Sequence, residues 1–96
     1  MIDWTRVREL HEEVGNADFE EVATLFIEEV RGALDRLEAL DDAAEELHFL
    51  KGSALNLGFT ALAGRCAAGA DAATLRRCFE ESAACFRAEL PRRLAA

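Results

Sequence analysis

Ninety-six residues are enough for one domain with one modest core, and 11 basic against 19 acidic side chains leave a formal net charge of −8. That charge argues against sequence-independent binding to nucleic acid or anionic lipid, and no apolar stretch approaches the roughly 20 residues needed to cross a bilayer. Three cysteines, an odd number without metal-type spacing, suit buried thiols in a reducing cytoplasm better than a disulfide framework.

The charge is unevenly spread. Residues 1–46 carry four basic and fifteen acidic side chains, a net of −11, whereas residues 47–96 carry seven and four, a net of +3. Val, Ile and Thr together number ten, and the dominance of Ala, Leu, Glu and Arg favours helix over sheet. Gly15-Asn16, Asp41-Asp42, Gly58, Gly69 and Pro91 break the pattern and divide the chain into five helical pieces.

The first piece spans about residues 3–14, with Trp4, Val7, Leu10 and Val14 at helical spacing. Asn16 is placed to cap a long helix reaching about Leu40, whose apolar stripe reads Val22, Leu25, Phe26, Val30, Ala33, Leu37 and Leu40. Asp42 with Glu45 imitates a capping box and opens a third helix that ends at Gly58. Thr60 is expected to cap a short helix ending near Gly69. Asp71 is expected to cap the last, with stripe Leu75, Cys78, Phe79, Ser82, Phe86 and Leu90, and Pro91 limits its extension. Short connections between amphipathic helices make antiparallel neighbours. The expected fold is therefore all-α: a single domain over residues 1–96, built as an up-down antiparallel four-helix bundle with a short extra N-terminal helix.

The third helix does not read as plain scaffold. At about 100° per residue, Ala43, Leu47, Leu50, Ala54 and Leu57 cluster on the buried side. His48, Gly52, Leu55 and Phe59, spaced i, i+4, i+7, i+11, fall on the opposite side, with Lys51 flanking them. The histidine is thus expected to face water. Glycine in a helix costs roughly 1 kcal/mol against alanine, so an exposed Gly52 suggests that something outside approaches the backbone one turn from His48. Lys51 is the only lysine among eleven basic residues, and a compact ammonium can neutralise a phosphoryl group as a point charge.

His48-x-x-Lys51-Gly52-Ser53, continuing through Asn56-Leu57-Gly58, resembles the signature of histidine phosphotransfer (HPt) domains, the phosphocarriers of bacterial multistep phosphorelays. The likeness extends to Ile2-Asp3-Trp4, the entry of the long helix from Gly15 to Phe26, and Leu62 with Cys66. The resemblance implies a cytoplasmic, monomeric phosphocarrier without ATP-dependent kinase activity. His48 would accept a phosphoryl group from a receiver-domain aspartyl phosphate and pass it to another receiver aspartate. Lys51 would ease the repulsion between charges, and Gly52 would admit the partner closely. Leu55 and Phe59 would offer an apolar docking surface, with Ser53 and Glu45 at its edge; Glu45 could also accept the other ring N–H of His48. The implied partners are receiver domains of response regulators or a hybrid sensor histidine kinase, with no nucleic acid and no membrane. The receiver, not this chain, would supply Mg²⁺.

Other chemistries fit less well. Glu45-x-x-His48 has the spacing of carboxylate-bridged di-iron bundles, but the only other histidine, His11, has Arg8 three residues before it, so no second copy exists and no metal site is expected. His11 reads as a surface helix residue. Lys51-Gly52-Ser53 reverses the order of a phosphate-cradling loop and sits inside a helix. Cys66, Cys78 and Cys85 contain no C-x-x-C and read as buried, inert thiols. The remaining alternative is a helical bundle that docks on receivers or other partners without carrying phosphate, which would have no need of His48, Lys51 and Gly52 together.

Overall fold

The computed structural model describes residues 1–39 and 44–94, in which five helices follow one another without a strand. They are α1 (Trp4–Val14), α2 (Phe19–Ala39), α3 (Ala44–Leu57), α4 (Thr60–Ala67) and α5 (Ala72–Leu94). Helix α2 packs on α3, α3 on α4, α4 on α5, and α5 returns to α2, so four helices close a ring around one core; α1 lies against α2 and α3. The molecule measures 44 × 20 × 17 Å. Among the described residues, no helix is long and apolar enough to cross a membrane.

The helix starts show which local signals operate. Asp3 caps α1, its carboxylate accepting from the backbone N–H of Thr5 at 3.1 Å and of Arg6 at 3.2 Å. Asp71 accepts from the Thr74 N–H at 2.8 Å at the head of α5, and that hydrogen bond holds its carboxyl below the usual range. Thr60 does not cap α4. It occupies the first helical position and donates its hydroxyl to the Met1 carbonyl at 3.0 Å. Asn16 does not cap α2 either: that helix begins at Phe19, and the Asn16 amide oxygen instead meets Nε2 of His11 at 3.0 Å. The expected cap at Asp42, and Leu40 and Ala43 of the expected stripes, lie outside the described residues.

Helix α2 buries Val30, Ala33 and Leu37 of the expected stripe, with Phe26 half-buried against the core, but its first half is turned differently. Phe19, Ala23, Ile27, Val30, Ala33, Leu34 and Leu37 face the core, whereas Leu25 is 52% exposed. Leu25 lies two residues from both Ala23 and Ile27, about 200° round the helix, so it cannot share their side. Helix α5 buries Leu75, Phe79, Ser82, Ala83 and Phe86. It also runs three residues past Pro91, to Leu94. In the last turn proline removes one hydrogen bond with little helix left to lose. Arg93, whose guanidinium carbon lies 5.3 Å from the Trp4 ring centroid, and Leu94, packed on the core, hold that turn in place.

Leu50, Ala54 and Leu57 of α3 are completely buried, each large side chain contributing about 1.5–3 kcal/mol of burial free energy. Phe59, Phe79 and Phe86 form an aromatic centre, with ring centroids 6.5 Å apart for Phe59–Phe79 and 5.6 Å for Phe59–Phe86. Trp4 stacks on Phe86 from α1 at 6.0 Å. The uneven charge also finds partners within the fold. Arg76 of α5 reaches Asp35 and Glu38 of α2, both at 2.7 Å, and these carboxylates hold its guanidinium more firmly protonated. Arg31 and Glu80 form a looser pair at 3.8 Å. Exposed pairs of this kind contribute about 0–1 kcal/mol each.

Candidate functional site

Helix α3 is fixed on its buried side by α2 and α4, and at its C-terminal end by the N-terminal segment. Gly58 ends the helix with φ +86°, a conformation that L side chains rarely adopt. Its carbonyl accepts from the Asp3 N–H at 2.7 Å, and a Cβ at this position would stand 2.8 Å from the Asp3 carbonyl oxygen. The Ala61 N–H donates to the Met1 carbonyl at 3.2 Å, and Arg6 Nε donates to the Asn56 carbonyl at 3.0 Å. The corner between α3 and α4 is thus held by residues distant in the chain.

On the outer side of α3, His48, Lys51 and Gly52 are all exposed. Among the described residues the His48 ring has no hydrogen-bond partner and Lys51 has no ion pair. Among the described residues, a Cβ added to Gly52 would meet nothing within 4 Å, so neither steric crowding nor backbone strain requires glycine there. Leu55, one turn further, is 47% exposed. An imidazole, an ammonium, a bare stretch of backbone and a leucine therefore share one open face. Lys51 lies on the flank toward α4. Burial pushes the Cys66 thiol up to about 11, helped by Cys78, while the Lys51 charge pulls in the opposite direction.

Two expected members of this face are elsewhere. Phe59 is 0% exposed, because the left-handed turn at Gly58 ends the helical wheel and swings the ring inward against Phe79 and Phe86. Ser53 is also buried, since five residues from His48 amount to about 140° of net rotation, toward the core. Glu45 is exposed and makes no hydrogen bond to His48. Ala54, Leu57 and Leu50 occupy the buried side as expected, with Leu47 half-buried.

One side chain beside the site had no role in the sequence reading. Phe49 is 44% exposed, and the Arg36 guanidinium carbon from α2 lies 5.9 Å from its ring centroid. The signal was available: Phe49 lies about 100° from His48 and well off the Leu50–Leu57 stripe.

Of the other candidates, His11 is half-buried where α1 meets α2. Its ring lies edge-on to Phe19 at 5.0 Å, in addition to its contact with Asn16. Cys66 is buried, but Cys78 and Cys85 are only half-buried, a correction to the expectation of three buried thiols. They stand where the apolar stripe of α5 meets its exposed side. Among the described residues no group of three or more His, Cys, Asp or Glu side chains could hold a metal ion.

Neither the curated proteins nor the solved structures yielded a significant match to this chain. A family model does match: that of the Hpt domain, over residues 17–96, which takes in α2 to α5 and the whole His48 face. Met1, Asp3 and Arg6 lie before the matched segment, yet supply the contacts that lock the α3–α4 corner. With most of its length matched, and an exposed histidine on the third of its helices, the chain belongs to the Hpt domain family, the histidine phosphotransfer modules of phosphorelays.

Proposed function

We propose that this chain is a phosphorelay intermediary. His48 accepts a phosphoryl group from the aspartyl phosphate of one receiver domain and delivers it to the aspartate of another. The observation that carries this reading is the unpartnered exposure of His48 one turn from the bare backbone at Gly52. A neutral imidazole keeps a lone pair on one ring nitrogen, and that lone pair is the nucleophile. The outward ring nitrogen attacks phosphorus, the bond from phosphorus to the aspartyl oxygen breaks, and its electron pair leaves on the carboxylate. The second transfer reverses these roles. Lys51 offsets the charge of the phosphoryl group and the acidic pocket around it, and Gly52 lets that pocket approach in line. Leu55 forms part of the apolar contact. Mg²⁺ belongs to the receiver.

The closed ring of α2 to α5 and its short connections support an up-down antiparallel bundle, with α3 presenting its site sideways to a visitor. The chain has no ATP-dependent kinase activity in this scheme and works as a cytoplasmic monomer.

The test is transfer from a phosphorylated receiver domain to the purified protein. The expected product is an acid-labile, base-stable label that is lost in His48→Gln, with helicity unchanged. A label that persists in His48→Gln would overturn the site. A protein that binds receivers but is never labelled would be a docking module instead.

A further inference from the structure

We infer that Phe49, held by Arg36, is the part of the docking face that selects among receiver domains; the inference rests on the phosphotransfer reading. Phe49 follows His48 directly and points about 100° away from it, toward α2. An exposed ring adds little to the core, yet this one is held from two helices. The Arg36 guanidinium reaches across from α2 to lie 5.9 Å from the ring centroid. Glu46, three residues before Phe49, takes Arg36 Nε at 2.9 Å. A Cβ at Gly32 would stand 3.5 Å from Arg36 Nη1, so the guanidinium rests along a bare stretch of α2.

The result is an aromatic side chain flanked by a tethered guanidinium before any partner arrives, while still 44% exposed. Pre-ordered aromatic and arginine side chains are the ones that carry most of the energy at protein interfaces. The occupant is a receiver domain, on two grounds. Phe49 is continuous with the His48 face, and Lys51 on the other flank, which has no ion pair among the described residues, complements an anionic phosphorylation pocket. Lys51 lies on the α4 side, near the phosphoryl charge. Phe49 lies on the α2 side, where it touches the receiver's surface but not the reacting atoms. It therefore acts on which receiver binds, and not on how fast a bound one reacts. Arg36 is a positioning residue that acts through Phe49.

Single-turnover transfer is measured at increasing concentrations of two phosphorylated receivers, the fastest and a slow donor from a panel, with thermal melts of each variant alongside. For the fast donor, Phe49→Ala is expected to raise the half-saturating concentration about tenfold at an unchanged plateau rate, with less change for the slow one. Phe49→Trp restores the preference. Arg36→Met shifts the half-saturating concentration in the same direction by about threefold, again at an unchanged plateau. A fallen plateau with unchanged half-saturation, or an unaltered preference in Phe49→Ala, overturns the inference while leaving transfer through His48 intact. Absence of transfer in the unmodified protein overturns the underlying reading instead.

Discussion

The backbone N–H of Asp3 donates to the carbonyl of Gly58 at 2.7 Å, joining the first turn of α1 to the residue that ends the helix bearing His48. The bond holds because Gly58 adopts φ +86° and presents no side chain, and a Cβ there would stand 2.8 Å from the Asp3 carbonyl oxygen. Gly58→Ala should cost about 2–3 kcal/mol, from left-handed strain and loss of this contact, and lower the melting temperature by roughly 10–20 °C. Thermal melts followed by circular dichroism check this; an unchanged melt would show that the corner gives way freely.

At Gly52 the direction reverses. A Cβ there meets nothing within 4 Å among the described residues, so Gly52→Gln should stabilise the helix by about 0.5 kcal/mol. The same variant should slow receiver-to-His48 transfer, on the order of tenfold, by filling the space the partner enters. A faster or unaltered transfer would remove the close-approach argument.

Lys51 is exposed and has no ion pair among the described residues, so its charge is available to a visitor. Lys51→Ala should slow transfer, and the gap between variant and parent should narrow as salt rises and screens the ammonium. A rate unaltered at both low and high salt would leave the residue without an electrostatic role.

Ser82 is 0% exposed, and among the described residues its hydroxyl oxygen has no hydrogen-bond partner. Removing that stranded hydroxyl with Ser82→Ala should raise stability by about 1 kcal/mol without affecting transfer. Denaturant unfolding measures it, and a loss of stability would reveal a hydrogen bond made by the hydroxyl.

Cys66 gives a pH dependence of definite sign. Its thiol is pushed from 9.0 up to about 11, chiefly by burial, so the folded chain holds this proton more tightly than the unfolded one. The associated stability is fully present below pH 9 and is lost as pH rises through about 11. Melts between pH 8 and pH 11 should therefore fall more steeply for the parent than for Cys66→Ala. Parallel curves would contradict the assignment.

Much of this was legible in the residues. Five helices, the cap at Asp71, and the buried face of α3 through Leu50, Ala54 and Leu57 all follow from local chemistry and a 3.6-residue period. The outward direction of His48 follows from the same wheel. What failed did so where tertiary contacts decide. A helical wheel extended past Gly58 puts Phe59 on the surface, whereas the turn sends it to the core. Leu25 is apolar enough to suit a buried stripe, but Ala23 and Ile27 fix the phase of the helix against it. Thr60 and Asn16 are good cap residues locally, but Met1 and His11 claim their side chains. The Phe49–Arg36 pairing joins residues thirteen apart on different helices, and periodicity within one helix carries no such information.

His48 and Gly52 open onto one side of one helix, with the other side of α3 sealed against its neighbours. In the proposed relay there is accordingly a single berth. Donor and acceptor must take turns on it, and a spent donor that lingers blocks the acceptor. Throughput is then governed by turnover of visitors as much as by bond making, and an excess of unphosphorylated donor acts as a competitive brake.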